Sequence, residues 1–486
     1  MQFAARLLLL CTIGILTFGA APQAQSVPLS QLLARMRTVN GGLYNMHLVS
    51  TSQHTVDGVP AQATTESMGL TFVVRDCTGP LCVGTYFDGE RLYQFNVNGT
   101  MLPGEQQYAP FLRAMRTLGM LAFLDPHFEQ QGGRIDDGGS AQFGDCACRT
   151  LVVQAPDAVP VSVYVDPRTG LVAGARDEHD DMVIRLGNYH HVAAFQLPFD
   201  VDVNGTAVER YTSRTIEWGR VEPPKGVEMT VTAGEGGLAL DPAAVSPIGT
   251  CKIAGIEARC LIDTGNSTLS MSQELAQRLN LKPIWDLPIA GLGKYSAPVV
   301  HAGPLQVGNA TFGDADYLVL TDAERYGYDL VLGADILANA PVSIDYEHHV
   351  LAFGNADPPG QSNTLPIEFD KLIPVVSASL GSTSARLAID TGDESSINLA
   401  YDFYQKHPGL FTVTSTAQVG GVGGISVEDM GELPEIRLGG IAAQDQPIGA
   451  TRTLHGTADG HLGAAFLSKF RIVLDYQHQR VYLTPL

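Results

Sequence analysis

Residues 258–265 read ARCLIDTG, and residues 385–392 repeat the pattern as ARLAIDTG. In each stretch an apolar run that is typical of a β-strand ends in an aspartate, a threonine and a glycine. Aspartate and glycine are common wherever a strand runs into a turn, so a single Asp-Thr-Gly would carry little information. The repetition is informative only if the flanking sequence also recurs.

The flanking sequence does recur. Two further blocks return in the same order: LGADIL at 332–337 as LGAAFL at 462–467, and VSIDYEH at 342–348 as IVLDYQH at 472–478. The three pairs of blocks are separated by 127 to 130 residues, which indicates a duplicated structural unit. The predicted boundaries are 238–356 for the first copy and 365–486 for the second copy, with a Pro- and Gly-rich linker between them. Both copies contain short β-branched runs and one short helical stretch after the Asp-Thr-Gly.

Length and composition limit the possible classes of protein. A chain of 486 residues is too long for one core, and its 45% hydrophobic and 17% charged residues are typical of folded domains. The net charge of −21 argues against a nucleic-acid partner, which would require a basic surface. The sequence contains no motif for serine-hydrolase, zinc-protease or nucleotide-binding chemistry.

The first 24 residues have the pattern of a signal peptide. Arg6 precedes a short apolar run at 7–20, and small residues follow it. That run is too short for a stable membrane span, and no later run approaches about 20 apolar residues. We therefore expect an exported protein, periplasmic or secreted, without a membrane anchor.

Six cysteines remain after this segment, and an even number in an exported chain indicates disulfides. Cys251 and Cys260 flank an expected hairpin turn at 254–256, so we predict a disulfide between them. The other four leave three pairings open: Cys77, Cys82, Cys146 and Cys148. A metal site at Cys146-x-Cys148 is the weaker alternative, because no histidine lies nearby at ligand spacing.

Residues 26–220 alternate between two helical patterns and many strand-like runs, which predicts an α+β antiparallel domain. This region resembles the half-barrel of periplasmic lipoprotein-carrier proteins. The resemblance rests on a helix that ends at NGG (40–42), on YVDPRTGL (164–171) and on FQLPF (195–199). It implies an apolar concavity for a lipid or peptide. The alternative, an accessory domain without its own ligand, stays open.

The duplicated half resembles the lobes of pepsin and retropepsin aspartic proteases. The matching features are an apolar strand into Asp-Thr-Gly, a Gly-rich segment midway, and an apolar-apolar-Gly block before a short helix. The resemblance implies a mainly β fold in which two retropepsin-like closed β-barrel lobes form a pepsin-style pseudo-dimer within a monomer. Asp263 and Asp390 match the catalytic pair, and the residues that would support them are Thr264, Gly265, Thr391 and Gly392.

Such a pair of carboxylates suits peptide hydrolysis. Two nearby carboxyl groups share one proton, so one can act as a base towards water while the other donates to the substrate carbonyl. The mechanism needs no metal or cofactor. Asn266 and Asp393 depart from the family pattern, because a small residue usually follows the glycine. Asp393 adds a negative charge near the pair.

Glycine-rich segments in each copy resemble the flap that closes over substrate in retropepsins. The expected flap residues are Gly291 and Gly293 in the first copy and Gly420, Gly421, Gly423 and Gly424 in the second. Simple hairpin turns are the alternative. The sequence thus favours an exported aspartic endopeptidase that cleaves peptides or proteins. A non-catalytic peptide-binding protein that uses the same cleft, and a lipid or lipoprotein carrier that uses the N-terminal domain, remain as alternatives.

Overall fold

The computed structural model describes residues 27–56, 58–177, 182–232, 236–290, 294–321, 327–354, 363–421, 424–452 and 458–486. The predicted signal peptide lies outside these ranges. The described part of the chain is mainly β-strand, as the sequence predicted. Among the helices described, none is both long and apolar enough to cross a bilayer.

The chain forms two compact units that exchange short stretches of sequence. The first unit takes in the chain up to Cys77 together with Tyr86–Leu92 and Gln106–Pro223. The second unit consists of Thr78–Thr85, Tyr93–Glu105 and Pro224–Leu486. Two stretches of the region predicted as one domain (26–220) therefore belong with the duplicated half.

The described N-terminal residues contain two α-helices, α1 (Leu29–Asn40) and α2 (Ala109–Gly119). Its strands are β1 (His47–Val56), β2 (Val59–Met68), β3 (Thr71–Thr78), β4 (Leu81–Phe87), β5 (Leu92–Phe95), β6 (Met101–Pro103), β7 (Arg134–Phe143), β8 (Cys146–Gln154), β9 (Val161–Val165), β10 (Val172–Asp177), β11 (Met182–Val192), β12 (Phe195–Val203) and β13 (Thr206–Glu217). Within the first unit the sheet order is β3-β2-β1-β13-β12-β11-β10-β9-β8-β7, which is antiparallel throughout.

The core of the first unit lies between the helices and this sheet. Leu32 and Met36, one turn apart on α1, are buried with Phe123 and Leu151. A cavity of about 10 Å³ lies in this core, lined by Ala114, Thr117, Leu118, Phe123, Val153, Ala155, Val161 and Val163. Such a cavity has room for about one water molecule, so it gives no support to lipid carriage.

The second unit contains four short helices in its described residues: α3 (Gln273–Arg278), α4 (Ala334–Leu337), α5 (Tyr401–Lys406) and α6 (Ala464–Leu467). Its remaining strands are β14 (Met229–Val231), β15 (Leu238–Ala239), β16 (Ile248–Ile253), β17 (Ile256–Ile262), β18 (Leu269–Ser272), β19 (Trp285–Ala290), β20 (Lys294–Ala302), β21 (Leu305–Val307), β22 (Ala310–Phe312), β23 (Ala315–Leu320), β24 (Leu330–Leu332), β25 (Val342–Asp345), β26 (Val350–Phe353), β27 (Asn363–Pro366), β28 (Glu368–Asp370), β29 (Ile373–Leu380), β30 (Thr383–Asp390), β31 (Ile397–Ala400), β32 (Ser415–Gly421), β33 (Gly424–Leu438), β34 (Ile441–Thr451), β35 (Gly460–Gly463), β36 (Phe470–Asp475) and β37 (Arg480–Pro485).

Among the described residues, strands β14 to β37 form three sheets. A ten-stranded sheet has the order β14-β22-β21-β16-β17-β24-β18-β23-β20-β19, and an eight-stranded sheet has the order β28-β29-β30-β35-β31-β34-β33-β32. The third sheet, β15-β26-β25-β36-β37-β27, takes strands from both copies. Its central pair, β25 and β36, sets the two recurring blocks side by side, with Val342 opposite Leu474. One apolar core extends through strands of both copies.

Disulfides join cysteines that lie close together in the sequence. Cys251 and Cys260 are bonded across the β16–β17 hairpin, with their Cα atoms 6.1 Å apart. Cys146 and Cys148 are bonded within β8, with Cα atoms 5.2 Å apart. Cys77 and Cys82 are disulfide-bonded as well.

The exchanged stretch 93–105 is anchored on a buried aspartate of the second unit. Asp335, fully buried in α4, accepts hydrogen bonds from Asn96 Nδ2 (2.6 Å), Asn98 Nδ2 (2.7 Å) and Thr100 Oγ1 (2.5 Å). Thr268 Oγ1 donates a fourth bond at 2.9 Å. Burial raises the pKa of Asp335, and these four hydrogen bonds oppose that effect. No cation is among these four partners, so the carboxylate depends on neutral donors.

Candidate active site

Each Asp-Thr-Gly loop begins where a strand ends beside a parallel neighbour. β17 runs parallel to β24, with Ile262 opposite Leu332, and β30 runs parallel to β35, with Ile389 opposite Leu462. The apolar residues of these strands are buried, which fixes the direction in which each chain leaves the sheet. The recurring Leu-Gly blocks thus lie directly beside the strands that deliver the aspartates.

The two threonines join the loops by reciprocal hydrogen bonds. The Thr264 backbone N–H donates to Thr391 Oγ1 at 3.1 Å, and the Thr391 backbone N–H donates to Thr264 Oγ1 at 3.0 Å. Each hydroxyl in turn donates to a carbonyl of the other copy: Thr264 to Ile389 O at 2.6 Å, and Thr391 to Ile262 O at 2.7 Å. Both threonines are buried, so these bonds hold the two loops in one fixed arrangement.

The glycines bring the carboxyl groups together. A Cβ atom at Gly265 would overlap the carboxyl group of Asp390, and a Cβ atom at Gly392 would overlap that of Asp263. Each glycine therefore leaves space for the aspartate of the other copy. Asp263 and Asp390 are themselves hydrogen-bonded to one another.

This contact separates the proton affinities of the two groups. Burial, then the charge of Asp390 and the hydrogen bond to it, raise the pKa of Asp263 well above its usual value. Burial alone would also raise the pKa of Asp390, but the hydrogen bond and positive charge of His461 lower it. The pair therefore holds one proton over a wide pH range, with the proton on Asp263 and the charge on Asp390.

His461 is a site residue that the sequence analysis missed. Its Nδ1 lies 3.1 Å from Asp390 Oδ2 and 3.8 Å from Asp393 Oδ2. Burial alone would lower the pKa of His461, but the hydrogen bonds and charges of Asp390 and Asp393 raise it to about 10. A comparison of the two copies could have drawn attention to His461, because the equivalent position of the first copy holds an apolar residue, Val331.

Glu428 is a second missed residue. It lies on β33, almost fully buried, and Gly449 on β34 leaves space for its carboxyl group. Burial, then the charge of Asp393, raise its pKa to about 7. Its Oε1 has no hydrogen-bond partner among the described residues.

The donor atoms of Asp390, Asp393 and His461 lie within 4.8 Å of one another, a spacing that could hold a metal ion. A metal ligand must be a neutral imidazole, however, and the two neighbouring carboxylates favour the protonated form of His461. The same contacts are explained by an ion pair. We therefore assign no metal to this group.

The expected flap residues lie on two hairpins, separate from the loops that carry the aspartates. β32 and β33 pair so that Gly420 is opposite Ile425 and Gly421 is opposite Gly424. β19 and β20 form the corresponding hairpin of the first copy. Gly423, Gly291 and Gly293 lie outside the described residues, so their role as flap tips stays a prediction.

These features are similar to those of a retropepsin-like aspartic protease domain. Residues 249–339, which include the first Asp-Thr-Gly and the first Leu-Gly block, match the family model described as "gag-polyprotein putative aspartyl protease". The sequence comparison thus supports the same class as the fold.

Particular proteins that the chain is similar to are named as DDI1 homologues or as a DNA damage-inducible protein. The chain is 26% identical over 162 residues to "Protein DDI1 homolog 2" of Danio rerio, covering 32% of this chain and 36% of that protein. It is 26% identical over 174 residues to the Homo sapiens protein of the same name, covering 35% and 40%. It is 27% identical over 129 residues to "DNA damage-inducible protein 1" of Yarrowia lipolytica, covering 25% and 31%. The match thus spans between 31% and 40% of the length of these relatives.

Proposed function

We propose that the chain is an aspartic endopeptidase in which Asp263 and Asp390 activate a water molecule to hydrolyse peptide bonds. The observation that carries this proposal is the reciprocal contact of the two loops: each glycine faces the aspartate of the other copy, and each threonine bonds to the other copy's backbone. We also propose that the two copies act as the lobes of a pepsin-style pseudo-dimer in a monomer. The six-stranded sheet with strands from both copies supports this arrangement.

The proton distribution assigns the two roles. The ionised Asp390 takes a proton from water, and the resulting oxygen nucleophile attacks the carbonyl carbon of the scissile bond. The protonated Asp263 donates a hydrogen bond to the carbonyl oxygen while negative charge develops there. The carbon–nitrogen bond then breaks as Asp390 passes the proton that it took from water to the leaving amine. The chemistry is acid–base throughout and forms no covalent bond between the substrate and the protein.

Export to the periplasm or the medium is part of the proposal. The signal-like sequence at 1–24 and the disulfides Cys146–Cys148 and Cys251–Cys260 support it, because disulfides persist mainly outside the reducing cytosol. Fractionation of cells that express the full chain would test it. Retention of an uncleaved chain in the cytosol would contradict it.

The activity is tested with the full chain and an unstructured protein substrate between pH 3 and 8. Asp263→Asn and Asp390→Asn should each reduce cleavage by at least about 100-fold, since each removes one acid–base group. Asp402→Asn is the matched control, because this exposed aspartate of α5 makes only a distant 3.9 Å pair with Lys406. Cleavage that persists in both dyad variants would refute the proposal.

The same preparations separate the alternatives. A folded chain that binds the peptide without cutting it would be a peptide-binding protein. A chain that co-purifies with lipid, and keeps that lipid in Asp263→Asn, would be a carrier that acts through its first unit.

A further inference from the structure

The two copies supply unequal surroundings to the two carboxyl groups. Asp390 Oδ1 accepts the backbone N–H groups of Gly392 and Asp393, both at 3.1 Å, while its Oδ2 faces His461. Apart from the contact between the two carboxyl groups, the described residues give Asp263 one donor, the N–H of Gly265 at 2.8 Å. A carboxylate that accepts more hydrogen bonds is more stable in its ionised form, so the negative charge is favoured on Asp390.

This inequality comes from a few positions where the copies differ. His461 lies on β35 opposite Ala388 of β30, and Val331 occupies the equivalent place opposite Leu261 of β17. Val331 is buried in a small apolar cluster with Ile248, Leu261 and Leu320. The first copy therefore places only hydrocarbon where the second copy places an imidazole.

We propose that His461 is a positioning residue that fixes Asp390 as the base and Asp263 as the acid of the dyad. This inference deepens the proposed function and rests on it. His461 reaches Asp390 from a strand buried in the sheet, on the oxygen that the backbone donors leave open. Without it, two carboxyl groups on nearly equivalent loops could exchange roles.

Among the described residues, the titratable groups that interact with His461 or with its carboxylate partners are acidic. Asp390 and Asp393 face it from the adjacent loop, and Asp263 lies across the dyad. The charge of Asp393 acts in turn on Glu428 of β33, and Tyr476, which follows β36, is a buried neutral phenol near Asp263 and Asp390. The strand neighbours of His461 are neutral, namely Ala388 on β30 and Asn398 on β31. Within this set, protonated His461 is therefore the one positive charge that can stabilise the ionised form of Asp390.

The positive charge determines the direction of the pH effect. A neighbouring cation favours the ionised form of the dyad, so the first proton leaves at lower pH. The active form, with one proton shared, then exists at lower pH. Loss of the cation should move the acid limb of the rate profile to higher pH, by about one unit or more, because an opposite charge at this distance shifts an aspartate by 1–3 units.

The test is the pH dependence of kcat/KM for the full chain, measured with a substrate that has no titrating group near the scissile bond. His461→Gln and His461→Val should move the acid limb to higher pH, whereas His461→Lys should move it part of the way back towards its wild-type position. His478→Gln is the matched control, because His478 pairs with Asp475 at 2.7 Å, an aspartate outside the catalytic pair. An acid limb that stays in place in the Gln and Val variants while the rate falls would overturn the proposal. Loss of activity on adding a chelator would overturn it as well, since His461 would then serve a metal.

A second readout does not depend on activity. In nuclear magnetic resonance spectra of the wild-type chain, the His461 imidazole should stay protonated through pH 8, and in Asp390→Asn it should titrate at lower pH. This result in a chain without protease activity would refute the proposed function and leave the His461–Asp390 ion pair established. A His461 that titrates near pH 6.5 in the wild-type chain would overturn the positioning role.

Discussion

The substitution Thr100→Val isolates the contact between the exchanged stretch 93–105 and the rest of the second unit. Valine has nearly the same shape as threonine but no hydroxyl, and the Thr100 hydroxyl donates to Asp335 Oδ1 at 2.5 Å. Both residues are buried. A hydrogen bond to a buried charged group contributes about 1.5–3 kcal/mol, so we expect the free energy of unfolding to fall by about that amount.

The cost should also depend on pH. Folding raises the pKa of Asp335, so its carboxyl group binds a proton more tightly in the folded state. Its contribution to stability is therefore present below about pH 4 and is lost as the pH rises through the folded-state pKa. Removal of a donor to the carboxylate raises that pKa further. The loss in Thr100→Val should accordingly be larger at pH 7 than at pH 4.

The two tryptophans allow the second unit to be followed by itself. Trp285 lies in the second unit and Trp218 in the first, so fluorescence in a Trp218→Phe background reports on the second unit alone. Separate observation matters because two units can unfold in different transitions. Thr414→Val is the control, since this exposed hydroxyl makes a long 3.3 Å bond to a carbonyl. Equal unfolding free energies for Thr100→Val and the control at pH 7 would refute the anchoring role of Asp335.

Three further predictions concern the same unit. The fragment 238–486 lacks the stretch 93–105, so it should fail to unfold cooperatively in circular dichroism, and a sharp transition like that of the full chain would contradict this. Gly265→Ala places a methyl group on the opposite carboxyl group and should reduce cleavage at least about 100-fold, whereas Gly187→Ala, which has open space around it, should not. Glu428→Gln should be more stable than the wild-type chain above pH 7, because the raised pKa of Glu428 means that its contribution is present below about pH 4.5 and lost as the pH rises through about 7. Denaturation curves at pH 5 and pH 8 would show this, and equal differences at both values would contradict it.

The sequence identified the parts of the site that recur. Asp263 and Asp390 could be found because each ends a recognisable apolar strand, and the glycines because the motif leaves no space for a side chain. Their assignment to catalysis remains a prediction. The helices after each loop, α3 and α5, also follow from local patterns.

Other features could not be predicted because they depend on long-range packing. His461 is a single histidine on an apolar strand, which locally resembles a core position. Asn98-Gly99 reads as a hairpin turn, and β5 and β6 do form that hairpin. Nothing in the turn itself indicates that Asn98 donates to Asp335, 237 residues away. Likewise, Asp335 in LGADIL resembles an ordinary residue at the start of a helix.

The crossed packing of Gly265 and Gly392 also constrains how the chain can change. A side chain at either glycine would displace the carboxyl group of the other copy. A substitution at one of these positions is therefore tolerated only if the opposite loop changes as well. Positions around this centre do not pack against the aspartate of the other copy in this way, and there the two copies differ. Asn266 of the first copy corresponds to Asp393 of the second, and Val331 corresponds to His461. After a gene duplication, the two copies can therefore acquire different residues around the pair of Asp-Thr-Gly loops but not within it. The two Asp-Thr-Gly loops thus form one structural unit, although they are encoded at two separate positions in the sequence.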